Sequence, residues 1–166
     1  MSDACGQSRA LTVLTPVKDE GGLRAALARL PDEDKSPLAR LPGTHFGRWV
    51  VIPDLGDGPQ LLFSATHDRS DDDYLEQIAA HLADEADAIW GHCEGYPGAA
   101  DGRAFADYLT KHRVRTNLFV SAYPRATLAE VLEGLDLRER LGDFAPRAQS
   151  MSTEELQTEF RKARLA

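Results

Sequence analysis

Two hydrophobic periods alternate along the chain, and their order predicts its elements. Residues 11–17 (LTVLTPV) are a β-branched apolar run closed by Pro16 and charge, which predicts a strand. Over 20–30 the period lengthens, with Leu23, Leu27 and Leu30 at helical spacing until Pro31. The polar, proline-bearing stretch 31–43 predicts a loop. Thr44–Ile52 (THFGRWVVI) is the strongest strand signal, and the turn DLGDGP leads from it to a hairpin partner at 60–66 (QLLFSAT). Ser70 caps the next helix, with Asp71, Asp72 and Asp73 in its first turn, where the helix dipole favours negative charge. Leu75, Ile78, Leu82, Ala86 and Ile89 form its buried stripe. A shorter helix gathers Phe105, Tyr108, Leu109 and His112 on one face, and 116–123 (TNLFVSAY) predicts a fourth strand. Thr127 and Glu130 fit a capping box that opens a helix burying Leu128, Val131, Leu132 and Leu135. Beyond a linker at 145–151, Ser152 and Glu155 open a last amphipathic helix with Leu156 and Phe160 on one side.

The order strand, helix, strand, strand, helix, extra helix, strand, helix predicts an α+β protein. It is the ferredoxin-like βαββαβ pattern, an antiparallel sheet with extra helices. The domain spans 10–144, after a flexible tail at 1–9 and before a linker and C-terminal helix at 145–166. Successive strand residues face opposite sides, and here both sides carry large apolar groups. Leu61, Phe63 and Ala65 oppose Leu62, Ser64 and Thr66; Leu118, Val120 and Ala122 oppose Asn117, Phe119, Ser121 and Tyr123. The second set of each pair mixes apolar and hydrogen-bonding groups, the composition of a ligand cavity.

Composition narrows the partners. A net charge of -8 in 166 residues opposes nucleic-acid binding, which needs clustered Lys and Arg. No apolar run approaches the roughly 18 residues of a membrane span, and the N-terminus lacks the apolar core of a secretory signal. Cys5 and Cys93 stand far apart and form no CxxC, so a reducing cytoplasm is the expected setting. No GxGxxG after the first strand, GxxxxGK[ST], GxSxG or HExxH occurs, so nicotinamide, nucleoside triphosphate and metalloprotease chemistry lose weight.

The order of elements, with LTVLTPVK before a Leu-rich helix and THFGRWVVI after it, resembles the dimeric α+β barrel superfamily. The segments THFGRW, LLFSATHD, IWGHCEGYPG and LFVSAYP are also similar to a group of bacterial proteins of unassigned activity. The likeness spans residues 11–143 and is specific at fold level. It implies two ferredoxin-like sheets packed face to face in a homodimer, with a cavity between sheet and helices. Members include small monooxygenases acting on polyketides, muconolactone isomerase-like enzymes, haem-degrading enzymes, haem-dependent dehydratases and peroxidases, and stress proteins without a clear substrate. Fold alone does not choose among them.

The densest chemistry lies in residues 90–98, WGHCEGYPG, where His92, Cys93, Glu94 and Tyr96 sit among glycines and a proline. Adjacent ligands diverge, so one metal centre is poorly served, whereas His92 or His45 could serve as a single axial haem ligand. His92 can also simply cap a helix C-terminus. Cys93 follows a helix C-terminus beside Glu94, the wrong field for a reactive thiolate. His45 is suited to act as a base and Arg48 as a clamp for a carboxylate or phenolate. On a regular strand these two point to opposite faces. Trp49, Phe63, Cys93, Glu94, Tyr96, Asn117 and Tyr123 are the expected ligand-lining residues, with His45, Arg48 and His92 catalytic. His67 and Asp68 read as turn residues ending their strand. Two functions follow: an enzyme for a small hydrophobic or aromatic metabolite (cofactor-independent oxidation, isomerisation or cyclisation, or haem-dependent), and a non-catalytic binding or interaction module.

Overall fold

A computed structural model describes residues 3–31, 35–54 and 56–162. The chain divides after Arg125 into two compact units. The first holds a four-stranded antiparallel sheet in the order β1-β2-β4-β3, formed by β1 (Ala4–Cys5), β2 (Ser8–Pro16), β3 (Thr44–Ile52) and β4 (Gln60–His67). The α+β class and the antiparallel sheet agree with the pattern of the sequence.

Part of the expected 1–9 tail is sheet. Ala4 and Cys5 pair with Arg9 and Ser8 across a tight turn. Gly6 makes that turn with φ +64°, and a Cβ there would stand 1.6 Å from the Pro124 carbonyl oxygen. Asp3 anchors the hairpin by accepting from the Thr116 N–H at 2.7 Å and from Arg113 at 2.8 Å. These partners lie over 100 residues away, so no local pattern announces them.

The expected strand at 116–123 is not a strand. Its place beside β2 is already taken. The β2 outer edge meets β1 at Ser8 and Arg9, Arg113 at Val13 and Cys93 at Val17. Bonds from Leu14 N–H to the His112 carbonyl and from Val114 N–H to the Thr12 carbonyl complete the cover. The β-branched and aromatic content of 116–123 expresses a preference that this edge cannot meet.

Four helices cover one sheet face. In α1 (Glu20–Leu27) the Asp19 carboxylate caps the Gly22 N–H at 3.0 Å, and the helix stops three residues short of the expected Leu30. Ser70 caps α2 (Asp71–His81) as expected. The long helix predicted through Ile89 breaks at Leu82 (φ -123°, ψ 29°) and resumes as α3 (Ala83–Trp90). The stripe survives the break, since Leu75, Ile78, Leu82, Ala86 and Ile89 are all buried. Asp101 caps α4 (Gly102–Lys111), which buries Phe105, Tyr108 and Leu109. Between these helices and the sheet, Leu11, Val13, Leu61 and Phe63 share one core with Trp90 and Phe105, each essentially inaccessible. Each such side chain contributes roughly 1.5–3 kcal/mol by leaving water.

The second unit is α5 (Leu128–Ala148) and α6 (Thr153–Lys162). The Thr127–Glu130 capping box is present in both directions. The burial expected for this helix is not: Leu132 and Leu135 are more than half exposed. The helix also runs into the predicted linker, to Ala148, in spite of Pro146, which has no N–H to give the Gly142 carbonyl. Among the described residues of this unit Phe144 is the one that is buried, and it meets the Phe160 ring at 5.9 Å. No helix among the described residues is long and apolar enough to cross a membrane.

Candidate functional site

Three groups of polar residues can be built upward from the sheet. The first closes the sheet end where β4 meets α2. Register puts Leu61, Phe63, Ala65 and His67 on the helix-covered face, so His67 is buried outright. Its ring stacks on Tyr74 at 3.9 Å and 5°. Neither ring nitrogen makes a hydrogen bond of ordinary geometry, and the nearest carboxylate oxygen, Asp71 Oδ1, stands 3.7 Å away and is itself unbonded. Burial lowers the His67 pKa to about 4, against the opposing pull of the Asp71 carboxylate and the Arg69 backbone. Burial likewise pushes the Tyr74 phenol up to about 12, though Thr44 bonds it at 3.1 Å.

Arg113 ties this group to the N-terminus, pairing with Asp71 at 2.6 Å and Asp3 at 2.8 Å. Burial raises the Asp3 pKa, but the Thr116 N–H and Arg113 outweigh it and leave the carboxyl below its usual value. Asp3, Asp71, Thr110, Arg113, Arg115 and Thr116 enclose a cleft of about 440 Å³ above the pair. Beside it, His45 is the extra residue of a β-bulge, since Thr44 opposes His67 while Phe46 opposes Thr66. Its Nε2 faces Asp68 Oδ1 at 2.5 Å, which fixes the ring and leaves Nδ1 outside that contact.

The second group is the 90–98 loop. Glu94 N–H donates to the Pro16 carbonyl at 2.8 Å and Lys18 N–H to the His92 carbonyl at 2.9 Å, so the loop is stitched to the end of β2. His92 Nδ1 lies 2.9 Å from Asp19, over Gly22, where any Cβ would come within 2.4 Å of the imidazole. Cys93 is buried and accepts from the Thr15 hydroxyl at 3.4 Å; burial pushes its thiol pKa up. The Tyr96 hydroxyl and the Ala99 N–H both donate to Asp87 Oδ1, at 2.8 and 2.9 Å. The Tyr108 hydroxyl donates to the Glu94 carbonyl at 3.0 Å. Burial raises both phenols further above their usual range. These bonds pin the loop to the end of β2 and to the neighbouring helices as a structural joint, while the Glu94 side chain is exposed.

The third group is the sheet face that the four helices leave open. Register assembles it in rows. Thr12, Ser64 and Arg48 form a polar row, flanked on one side by Leu14, Leu62 and Val50 and on the other by Ala10, Thr66 and Phe46. Phe46 is 78% exposed and Val50 40%. A cation among aliphatic and hydroxyl neighbours can take an anionic group while the flanking rows take an apolar body.

The expected site residues therefore separate. Arg48 is on the open face with His45 at its margin, whereas Trp49 and Phe63 are on the packed face, 5.3 Å apart. His92, Cys93, Glu94 and Tyr96 belong to the joint at the far end of β2. Asn117 and Tyr123 are exposed on the segment after α4, Tyr123 at 67%. His67, Asp71, Tyr74 and Arg113 were missed by sequence reasoning. Alternation continued one step past Ala65 would have placed His67 inside, and Asp71 follows at helical spacing. Nothing local marks Arg113.

The sheet–helix layer beside the 90–98 loop is closed by aromatic packing. Phe63 meets Trp90 there at 5.5 Å, and Trp90 meets Phe105 at 5.5 Å, filling the space with rings. Among the described residues no three His, Cys, Asp or Glu side chains are grouped to hold a metal ion. No protein-family model, curated protein or solved structure matches the chain.

Proposed function

We propose that the first unit is a ferredoxin-like small-molecule enzyme of the dimeric α+β barrel type, holding its ligand over the open sheet face. The observation that carries this reading is the polar row Thr12–Ser64–Arg48 framed by Leu14, Leu62 and Val50. A homodimer would bring a second such face across it and exclude water. The ligand class that fits is an apolar or aromatic molecule with one carboxylate or phenolate group, held by Arg48. His45, oriented by Asp68, is the general base, with Nδ1 as the proton acceptor. That pair suits cofactor-independent isomerisation or cyclisation by proton abstraction, with oxidation by dioxygen as a variant.

Calorimetry against a panel of aromatic carboxylates and phenols tests the reading. Arg48→Ala is expected to weaken the anionic binders by at least about tenfold, the worth of one charge-assisted hydrogen bond. His45→Ala should leave affinity in place and abolish turnover. Unchanged affinity in Arg48→Ala would sink it, and a Soret band in the purified protein would replace it with the haem-dependent variant. A second reading, an interaction module, is favoured by one observation: Leu132 and Leu135 of α5 are 55% and 53% exposed.

A further inference from the structure

Residues 117–123 belong to no sheet. They alternate as a strand does, yet Leu118 is 80% exposed, Val120 73% and Tyr123 67%. Among the described residues, the N–H groups of 117–122 make no backbone hydrogen bond. The neighbouring edge of β2 is occupied along its length, as described above. Among the described residues the order β1-β2-β4-β3 ends on β1, which is only Ala4 and Cys5, and on β3, whose nine-residue outer side is the longer edge. The same chain cannot reach it. Val114 is bonded to Thr12 on the far side of β2, about four strand spacings, or roughly 19 Å, from a position beyond β3. From Val114 to Asn117 the chain spans at most about 11 Å.

We infer that residues 117–123 of one copy pair with the outer edge of β3 in a second copy, each copy giving one strand and receiving one. The exchange satisfies the unpaired backbone groups of both edges, and because each copy gives its strand to the copy it receives one from, it closes as a two-fold dimer. Side-chain chemistry agrees. Leu118 and Val120 would join the apolar positions Phe46 and Val50, which are exposed in one copy alone. Charge agrees at one end: β3 runs out into Asp54 and Asp57, and the direction of pairing decides whether Arg115 or Arg125, at opposite ends of the donated segment, meets them. This deepens the homodimer of the proposed function and rests on that reading for the existence of self-association, not for its route.

The test is the mass of the full-length protein in solution, read by sedimentation, together with amide exchange. Val120→Pro removes a ladder donor, and Leu118→Lys keeps the backbone but spoils the apolar contact. Both positions are exposed within one copy, so the thermal midpoint extrapolated to low concentration should not move. The expected result is a wild-type dimer in which the amides of 117–122 and 44–52 are protected together, and a dimer dissociation constant raised about 100-fold by Val120→Pro. A dimer that persists unchanged in both variants, or one with unprotected 117–122 amides, overturns strand exchange while leaving a face-packed dimer standing. A wild-type monomer at every soluble concentration overturns both, and leaves ligand binding by Arg48 to be judged by calorimetry.

Discussion

At the scale of single residues, burial decides which reactive groups stay silent. Cys93 sits in the core with its thiol pushed up by burial, whereas Cys5 is half-buried on the edge hairpin. Thiol labelling of the native protein should therefore modify Cys5 alone, with Cys93 reacting only after denaturation. Rapid labelling of both would show that the joint opens readily. His67 offers a sharper test. Its pKa is about 4 in the folded protein against 6.5 for the free side chain, so from pH 6.5 downward the unfolded chain takes up a proton that the folded one refuses. Stability should fall as pH drops from about 6.5 to about 4, by up to roughly 3 kcal/mol, and this contribution should stay lost below that window. His67→Phe keeps the stack on Tyr74 and removes the proton. Urea titrations at pH 7, 6 and 5 should lose most of their slope with pH in this variant; an unchanged slope would place the acid sensitivity elsewhere.

At the scale of elements, the sequence is most readable where the partner of a segment lies close along the chain. The β3–β4 hairpin, the Ser70 cap, the stripe from Leu75 to Ile89 and the Thr127–Glu130 box were all legible, because alternation, capping and helical spacing are local. The β1 hairpin was not, since it depends on Asp3 meeting Arg113 and Thr116. The failure at 116–123 is of another kind. Its strand propensity is real, but a strand needs a free edge, and edge occupancy is decided by the whole sheet. The site divides along the same line: Arg48 and His45 could be picked out by type, while the link of His67 to Asp71 and Arg113 could not. The α5 stripe shows the same limit, since helical spacing predicts an apolar side but not what covers it. Hence Leu132→Lys with Leu135→Lys should leave the thermal midpoint almost unmoved, whereas Ile78→Ala, equally apolar on paper, should cost about 2–5 kcal/mol in chemical denaturation. A large loss in the double variant would mean that this stripe is covered in solution.

At the scale of the molecule, the two units differ in what holds them. The aliphatic and aromatic core runs from Leu11 to Leu109 and belongs wholly to the first. The second buries Phe144 and otherwise relies on capping and on pairs such as Arg140 with Asp136, surface ion pairs worth under about 1 kcal/mol each. A 21-residue helix with so little packing is marginal by itself. Amide exchange of the intact chain should therefore show two tiers. The amides of β2 and β4, paired over eight positions, should exchange only through global unfolding, and those of α5 through local opening at far lower free energy. Removing residues 126–166 should then leave the urea midpoint of the first unit where it was, because none of its buried residues is deleted. A single cooperative transition with equal protection in α5 and β4, or a first unit that unfolds once shortened, would mean that the apolar stripe of α5 is packed against something that both halves need.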